Sequence, residues 1–185
     1  SSNSFIPTDI IYKFESSNPA TKLNSNATIK INYLSTETAG VEKNDLRMYY
    51  YDNGIWKMLR NSKINTDEDS VIAEYDKFGY YALFGYKPQG EAFDSDWIYT
   101  YPNPAKGDFL TFKFVVNYKS DVDIEIYNVA GEIIKKINKK DVMPGLINEI
   151  VWDIKNIASG VYVYVFKADG SGGKKSVNKK LAIIH

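Results

Sequence analysis

The 185-residue chain contains no cysteine, which excludes disulfides, thiol nucleophiles and thiolate metal sites. Compartment does not follow from that absence, because many bacterial surface proteins also dispense with cysteine. Histidine is nearly missing as well: the single one, His185, is the final residue, where chains are usually mobile. A Ser-His-Asp or Cys-His arrangement cannot be built from it, and the histidine clusters of zinc and non-haem iron sites are not there. No run approaches the roughly 18 apolar residues of a membrane-spanning helix. Ser1-Ser2-Asn3-Ser4 does not open a basic-then-apolar export signal. Neither sign of charge prevails, with 23 basic and 23 acidic residues, so the concentrated basic face that nucleic acid requires is not expected. Together these shortages predict a chain without cofactor, metal site or enzymatic activity. Paired carboxylates remain the one catalytic chemistry the composition allows, and no pair in the sequence points to a common cleft.

Strand-forming sequence is plentiful. Hydrophobic residues make up 44% of the chain, aromatic residues 15% and charged residues 25%, which is ordinary globular material long enough for one large or two small domains. Residues 85–96 (GYKPQGEAFDSD) interrupt the apolar alternation with Pro88, Gly90 and small or acidic residues. Charge does not distinguish the two sides of this break: 10 basic and 11 acidic residues precede Gly90, and 13 and 12 follow it. The reading is an all-β protein of two tandem Ig-like or Greek-key β-sandwich domains, residues 1–88 and 97–185, joined by a linker at residues 89–96.

In the first half, Ile29, Ile31 and Tyr33 share one side of a strand, with Lys30 and Asn32 on the other. The run at residues 46–51 leads through Asp52-Asn53-Gly54 into residues 55–59, and Asn-Gly supplies the positive backbone angles of a tight hairpin. Residues 70–75 and 79–84 read as two further strands joined by a turn. In the second half, Leu110, Phe112, Phe114 and Val116 line one face. Val122, Ile124 and Ile126 alternate with Asp121, Asp123 and Glu125 before a turn at residues 128–131 leads into a strand over residues 132–134. Strands follow at residues 147–152, 160–168 and 176–184, and the segment 161–166, apolar on both faces, suits a central position. Trp152 shares the face of Ile150 and is expected in the core.

Three groups of residues could carry binding. Residues 65–70 (NTDEDS) gather three carboxylates in one loop, which suits calcium, although an EF-hand's glycine and spacing are absent and a solvated turn accounts for them as well. Tyr49, Tyr50, Tyr51, Trp56, Tyr80 and Tyr81, with Tyr162 and Tyr164, could present rings to a sugar or pair across strands. Lys135, Lys136, Lys139 and Lys140 form one basic cluster, and Lys174, Lys175, Lys179 and Lys180 another. Lysines on an exposed strand also block edge-to-edge aggregation.

Tyr101-Pro102-Asn103-Pro104, then residues 122–131 (VDIEIYNVAG), then Ala158-Ser159-Gly160-Val161-Tyr162, and finally Lys179-Lys180-Leu181-Ala182-Ile183-Ile184 resemble two related families. One is the C-terminal sorting domain of type nine secretion cargo; the other is the Ig-like domain of flagellar hook-capping proteins. Trp152-Asp153 is similar to the hook-capping members. The short passage from residue 154 to Ser159-Gly160, and termination one residue after Ile184, are closer to sorting domains. The first half resembles, less specifically, a β-rich module that often precedes such a domain in large secreted bacterial proteins. The resemblance implies that Lys179, Lys180, Leu181, Ala182, Ile183 and Ile184 carry the sorting signal, and that Tyr101, Pro102, Asn103, Pro104, Gly131, Trp152, Gly160 and Tyr162 are structural. Pro102 and Pro104 would hold their segment extended, Gly131 would permit a turn, and Gly160 would start the central strand.

The expected function is therefore a non-catalytic, secreted or cell-surface region that meets secretion or surface-attachment machinery. Two alternatives stay open: a self-assembling subunit of a filament or layer, in which residues 5–14 complete the sheet of another copy, and a carbohydrate-binding module.

Overall fold

Alternation of apolar and polar residues sets the strands, and the facing apolar sides close two separate cores. The computed structural model describes residues 5–18 and 22–185. The chain divides into two compact units, Ser1–Lys87 and Pro88–His185.

The first unit runs β1 (Phe5–Ile6), β2 (Ile11–Phe14), β3 (Ala27–Asn32), β4 (Leu46–Asp52), β5 (Ile55–Met58), β6 (Lys63–Asn65), β7 (Ser70–Tyr75) and β8 (Gly79–Tyr86). One sheet has the order β1-β8-β4-β5, with β2 also on β8; the other is β3-β7-β6. Ile29, Ile31 and Tyr33 face Leu46, Met48, Tyr50, Tyr81 and Leu83 across a shared core, as the alternation predicts. The β4–β5 hairpin turns at Asn53 and Gly54, with φ of 51° and 86°. β7 and β8 follow each other through a short turn but lie in different sheets, so that turn crosses the sandwich. On the opposite face of β8, Phe84 and Tyr49 form a smaller apolar cluster, capped by Phe5, whose ring stacks on Phe84 at 4.3 Å. Residues 5–14, expected under the assembly alternative to complete another copy's sheet, pair with β8 of their own unit, from Phe5↔Tyr86 to Phe14↔Gly79.

The second unit runs β9 (Ile98–Tyr101), β10 (Ala105–Lys106), β11 (Phe109–Phe114), β12 (Ser120–Tyr127), β13 (Ile133–Val142), β14 (Asn148–Asp153), β15 (Gly160–Gly170) and β16 (Gly173–Ile184). A five-stranded sheet, β10-β16-β15-β12-β13, packs on a three-stranded one, β14-β11-β9. Ile98, Leu110, Phe112, Phe114 and Trp152 from the smaller sheet meet Val122, Ile124, Ile126, Tyr164, Phe166, Leu181 and Ile183 from the larger. Fully burying each such side chain is worth about 1.5–3 kcal/mol.

The stretch read as a linker, residues 89–96, is in part core. Ala92 and Phe93 are 2% and 1% exposed, and the Phe93 ring meets Phe166 edge-on at 5.2 Å. Acidic and small residues dominate the composition of that stretch and mask one apolar pair. The strand expected at residues 132–134 extends through β13 to Val142. Two of its lysines, Lys136 and Lys140, are exposed and pair with Glu125 and Asp121 of β12, so charge there supports the strand. β15 is central, as expected from its composition, but only Tyr162, Tyr164, Phe166 and Ala168 are buried; Val161 on the other face is 51% exposed.

Candidate functional site

The terminal strand β16 forms a long hairpin with β15, in register from Gly170↔Gly173 to Gly160↔Ile183. The hairpin tip depends on a missing side chain, since a Cβ on Gly172 would lie 2.1 Å from the Tyr118 ring. Odd-numbered β16 residues face the core: Leu181 and Ile183 are each 1% exposed. Even-numbered residues face out, and Lys174, Ser176, Asn178, Lys180 and Ile184 are exposed.

Beyond β15, the other edge of β16 is stitched to the chain that leads into the unit. Lys175 turns inward, where its Nζ donates to the Phe93 carbonyl at 2.8 Å and to the Glu91 carboxylate, and lies 5.0 Å from the Phe93 ring. Lys179 likewise donates to the Ser95 carbonyl at 2.5 Å. Those carbonyls are held in place because the Asn117 N–H donates to the Ala92 carbonyl at 2.8 Å, the Asn117 amide to the Glu91 carbonyl at 2.9 Å, and the Val115 N–H to the Trp97 carbonyl at 3.2 Å. Further along, the Asn103 amide acts as a fragment of strand: its Nδ2 donates to the Lys180 carbonyl at 3.2 Å, and the Ala182 N–H donates to its Oδ1 at 3.0 Å. β10 then pairs in parallel with Ile183 and Ile184, and the His185 N–H donates to Ser159 Oγ at 2.9 Å.

The remaining motif residues build this frame. The bonds before Pro102 and Pro104 are both cis, and the chain turns there instead of running extended as expected. That turn sets Asn103 against β16. Gly131 takes φ 82° in the turn after β12, where Asn128 Oδ1 accepts the N–H groups of Ala130 and Glu132. Gly160 begins β15, and the hydroxyl of buried Tyr162 donates to the Ala158 carbonyl at 2.7 Å. Trp152 is 4% exposed and stacks on Phe112 at 6.3 Å between ring centroids. Tyr101 is 65% exposed, with Lys113 Nζ 5.9 Å from its ring. Sequence alone placed Lys179 with Lys180 in one basic cluster; the structure sends them to opposite faces.

On the outer face of the larger sheet, Glu125 is the electrostatic hub. Lys167 at 2.6 Å, the Tyr127 hydroxyl at 2.9 Å and Lys136 at 3.4 Å hold its carboxyl down at about 2, with Lys167 the largest cause. Burial pushes the Tyr164 hydroxyl up to about 12, which keeps it neutral in the core.

The other binding candidates are distributed differently. In the acidic loop, Asn65 Oδ1 accepts the N–H groups of Asp67 and Glu68, Glu68 pairs with Lys30 at 2.6 Å, and Asp69 pairs with Lys43. Among the described residues no group of three acidic, histidine or cysteine side chains is arranged to hold a metal ion. Of the aromatic residues, Tyr49, Tyr50, Tyr81, Tyr162 and Tyr164 are buried. Tyr51 and Trp56 contact each other with a 56° tilt, and exposed Tyr80 lies under Lys13, so these rings form no common plane.

Among solved structures, the chain is similar to PorZ, described as an essential bacterial surface component of the type-IX secretion system of Porphyromonas gingivalis. Identity is 22% over 56% of this chain and 14% of that one, with a TM-score of 0.38. It is also similar to dimeric latent PorU from Porphyromonas gingivalis, at 17% identity over 99% of this chain and 20% of that one, with a TM-score of 0.44. The chain thus spans a fifth or less of the length of either protein. No curated protein matches it. No helix among the described residues is long and apolar enough to cross a membrane. The family model that matches is the secretion system C-terminal sorting domain, whose members mark proteins for secretion or attachment at the cell surface. By that match, residues 99–183 of the chain, from β9 to β16, are similar to secretion system C-terminal sorting domains.

Proposed function

We propose that the chain is a non-catalytic region in which the second unit sorts the polypeptide through the type nine secretion machinery, and the first unit spaces or props it. The observation that carries this reading is the two-sided build of β16. Its inward residues, Leu181 and Ile183, are locked in the core, and its outward residues, Lys180, Ala182 and Ile184, stay on a folded surface that a receptor can meet. The signal on this reading is a shape, presented only when the sandwich is complete.

Deleting residues 179–185 from the precursor in its native host tests it. Cell fractionation should find the truncated protein retained inside the cell, with its first unit still resistant to protease. Normal surface delivery of a folded truncation would overturn the sorting role.

A further inference from the structure

The outer face of the larger sheet divides into two halves with different electrostatics. At the end nearer the β15–β16 turn, charge is neutralised within the sheet. Lys140 pairs with Asp121 at 2.7 Å, Lys174 with Asp169 at 2.7 Å, and Glu125 with Lys167 and Lys136. The end nearer Ile184 has no such pairs among the described residues. Val161 and Ile184 are 51% and 45% exposed there, and Val163 and Ala182 are half-buried. The register sets these residues side by side, Val161↔Ala182 and Val163↔Lys180.

Lys180 stands at the border of this apolar end, opposite Val163. Lys174 meets a carboxylate, Lys175 meets a carboxylate and a carbonyl, and Lys179 meets a carbonyl. Among the described residues Lys180 Nζ alone of these four meets no acceptor. Covering the apolar end with another apolar surface would strip water from that ammonium, at a cost of several kcal/mol unless a carboxylate or equivalent acceptor replaces the water.

We propose, building on the sorting role above, that Lys180 with Val161, Val163, Ala182 and Ile184 is the surface through which the secretion machinery reads this domain. Its partner is an apolar protein surface bearing a carboxylate that pairs with Lys180. A second copy of the chain fits poorly, because a two-fold contact through this patch brings one Lys180 close to the other. Lys179 is a positioning residue: it holds β16 against residues 91–95 and does not touch the partner.

The test uses the full precursor in its native host, with surface delivery measured by fractionation and folding by melting temperature and protease resistance. Lys180→Glu should lower delivery by about tenfold or more, because it sets two carboxylates against each other across the contact, while leaving the melting temperature unchanged. Lys180→Arg should restore delivery. Lys174→Glu, on the same strand and face but in the neutralised half, should be delivered normally. If Lys180→Glu misfolds, Lys180→Gln reads the same charge without reversing it. Delivery of folded Lys180→Glu or Lys180→Gln at the unsubstituted level would overturn the proposal. A concentration-dependent dimer that Lys180→Glu abolishes, with delivery intact, would assign the patch to a second copy and also overturn it. The sorting role itself fails only if the truncation of residues 179–185 is delivered, so the two ideas separate cleanly.

Discussion

Asn103 offers the sharpest test of how the terminal strand is held. Asn103→Ala removes both the donor to the Lys180 carbonyl and the acceptor of the Ala182 N–H. Asn103 is exposed, so water competes for both bonds and each is worth the low end of the usual range, about 0.5–1 kcal/mol, or ~1–2 kcal/mol together. In a domain of roughly 60–100 residues a loss of that size lowers the melting temperature by about 4–8 °C per kcal/mol, so a fall of about 4–16 °C is expected for the second unit. Amide hydrogen exchange gives the local signature. The Ala182 N–H points away from β15 and should lose protection, whereas the N–H groups of Leu181 and Ile183, which alternate toward β15, should keep theirs. Asn103→Asp separates the two bonds: it retains an acceptor for Ala182 but sets a carboxylate oxygen against the Lys180 carbonyl, so stability should fall with Ala182 still protected. An unchanged exchange rate at Ala182 in Asn103→Ala would refute the idea that this side chain substitutes for a strand.

Trp152→Ala should cost about 3–5 kcal/mol, because it opens a cavity beside Phe112 in a closed core. Trp97→Ala, at a residue 38% exposed, should cost much less, and chemical denaturation of both variants checks the contrast. The Glu125 junction should respond to acid. Its folded value of about 2 lies below the ordinary 4.5, so its contribution is complete above pH 4.5 and is lost as the pH falls through 2. The difference in melting temperature between the unsubstituted chain and Glu125→Gln should accordingly be present at pH 7 and shrink progressively below pH 4.5; a difference independent of pH would mean that the carboxylate is not what the surrounding lysines and Tyr127 recognise.

Much of the fold was legible because a half-buried strand writes its two faces into alternate residues. Ile29, Ile31 and Tyr33, and likewise Val122, Ile124 and Ile126, share one side of their strands on that pattern alone, and all are buried. Asn53-Gly54 announced its own turn. What alternation cannot report is what lies over a face. Lys175 and Lys179 fall on the same side as Leu181, yet the carbonyls that receive them belong to residues 93 and 95, more than eighty positions earlier. Phe93 was hidden for a related reason: one buried ring in a segment of acids, glycine and proline makes no period, and its neighbour Ala92 was the one available hint. Pro102 and Pro104 misled in the opposite direction. Proline ordinarily favours extended chain, whereas here the segment turns and the purpose of the turn is visible only once Asn103 is seen against β16.

The strict division of labour along β16 makes its register a form of inspection mark. A slip of one residue against β15 would turn Leu181 and Ile183 to water and drive Lys180 and Ala182 into the core, so a misassembled sheet would show its partner a different surface altogether. Under the proposed sorting role, the outward residues of β16 therefore state an address only while the sandwich behind them is correctly closed, and a chain that fails to fold withdraws its own label.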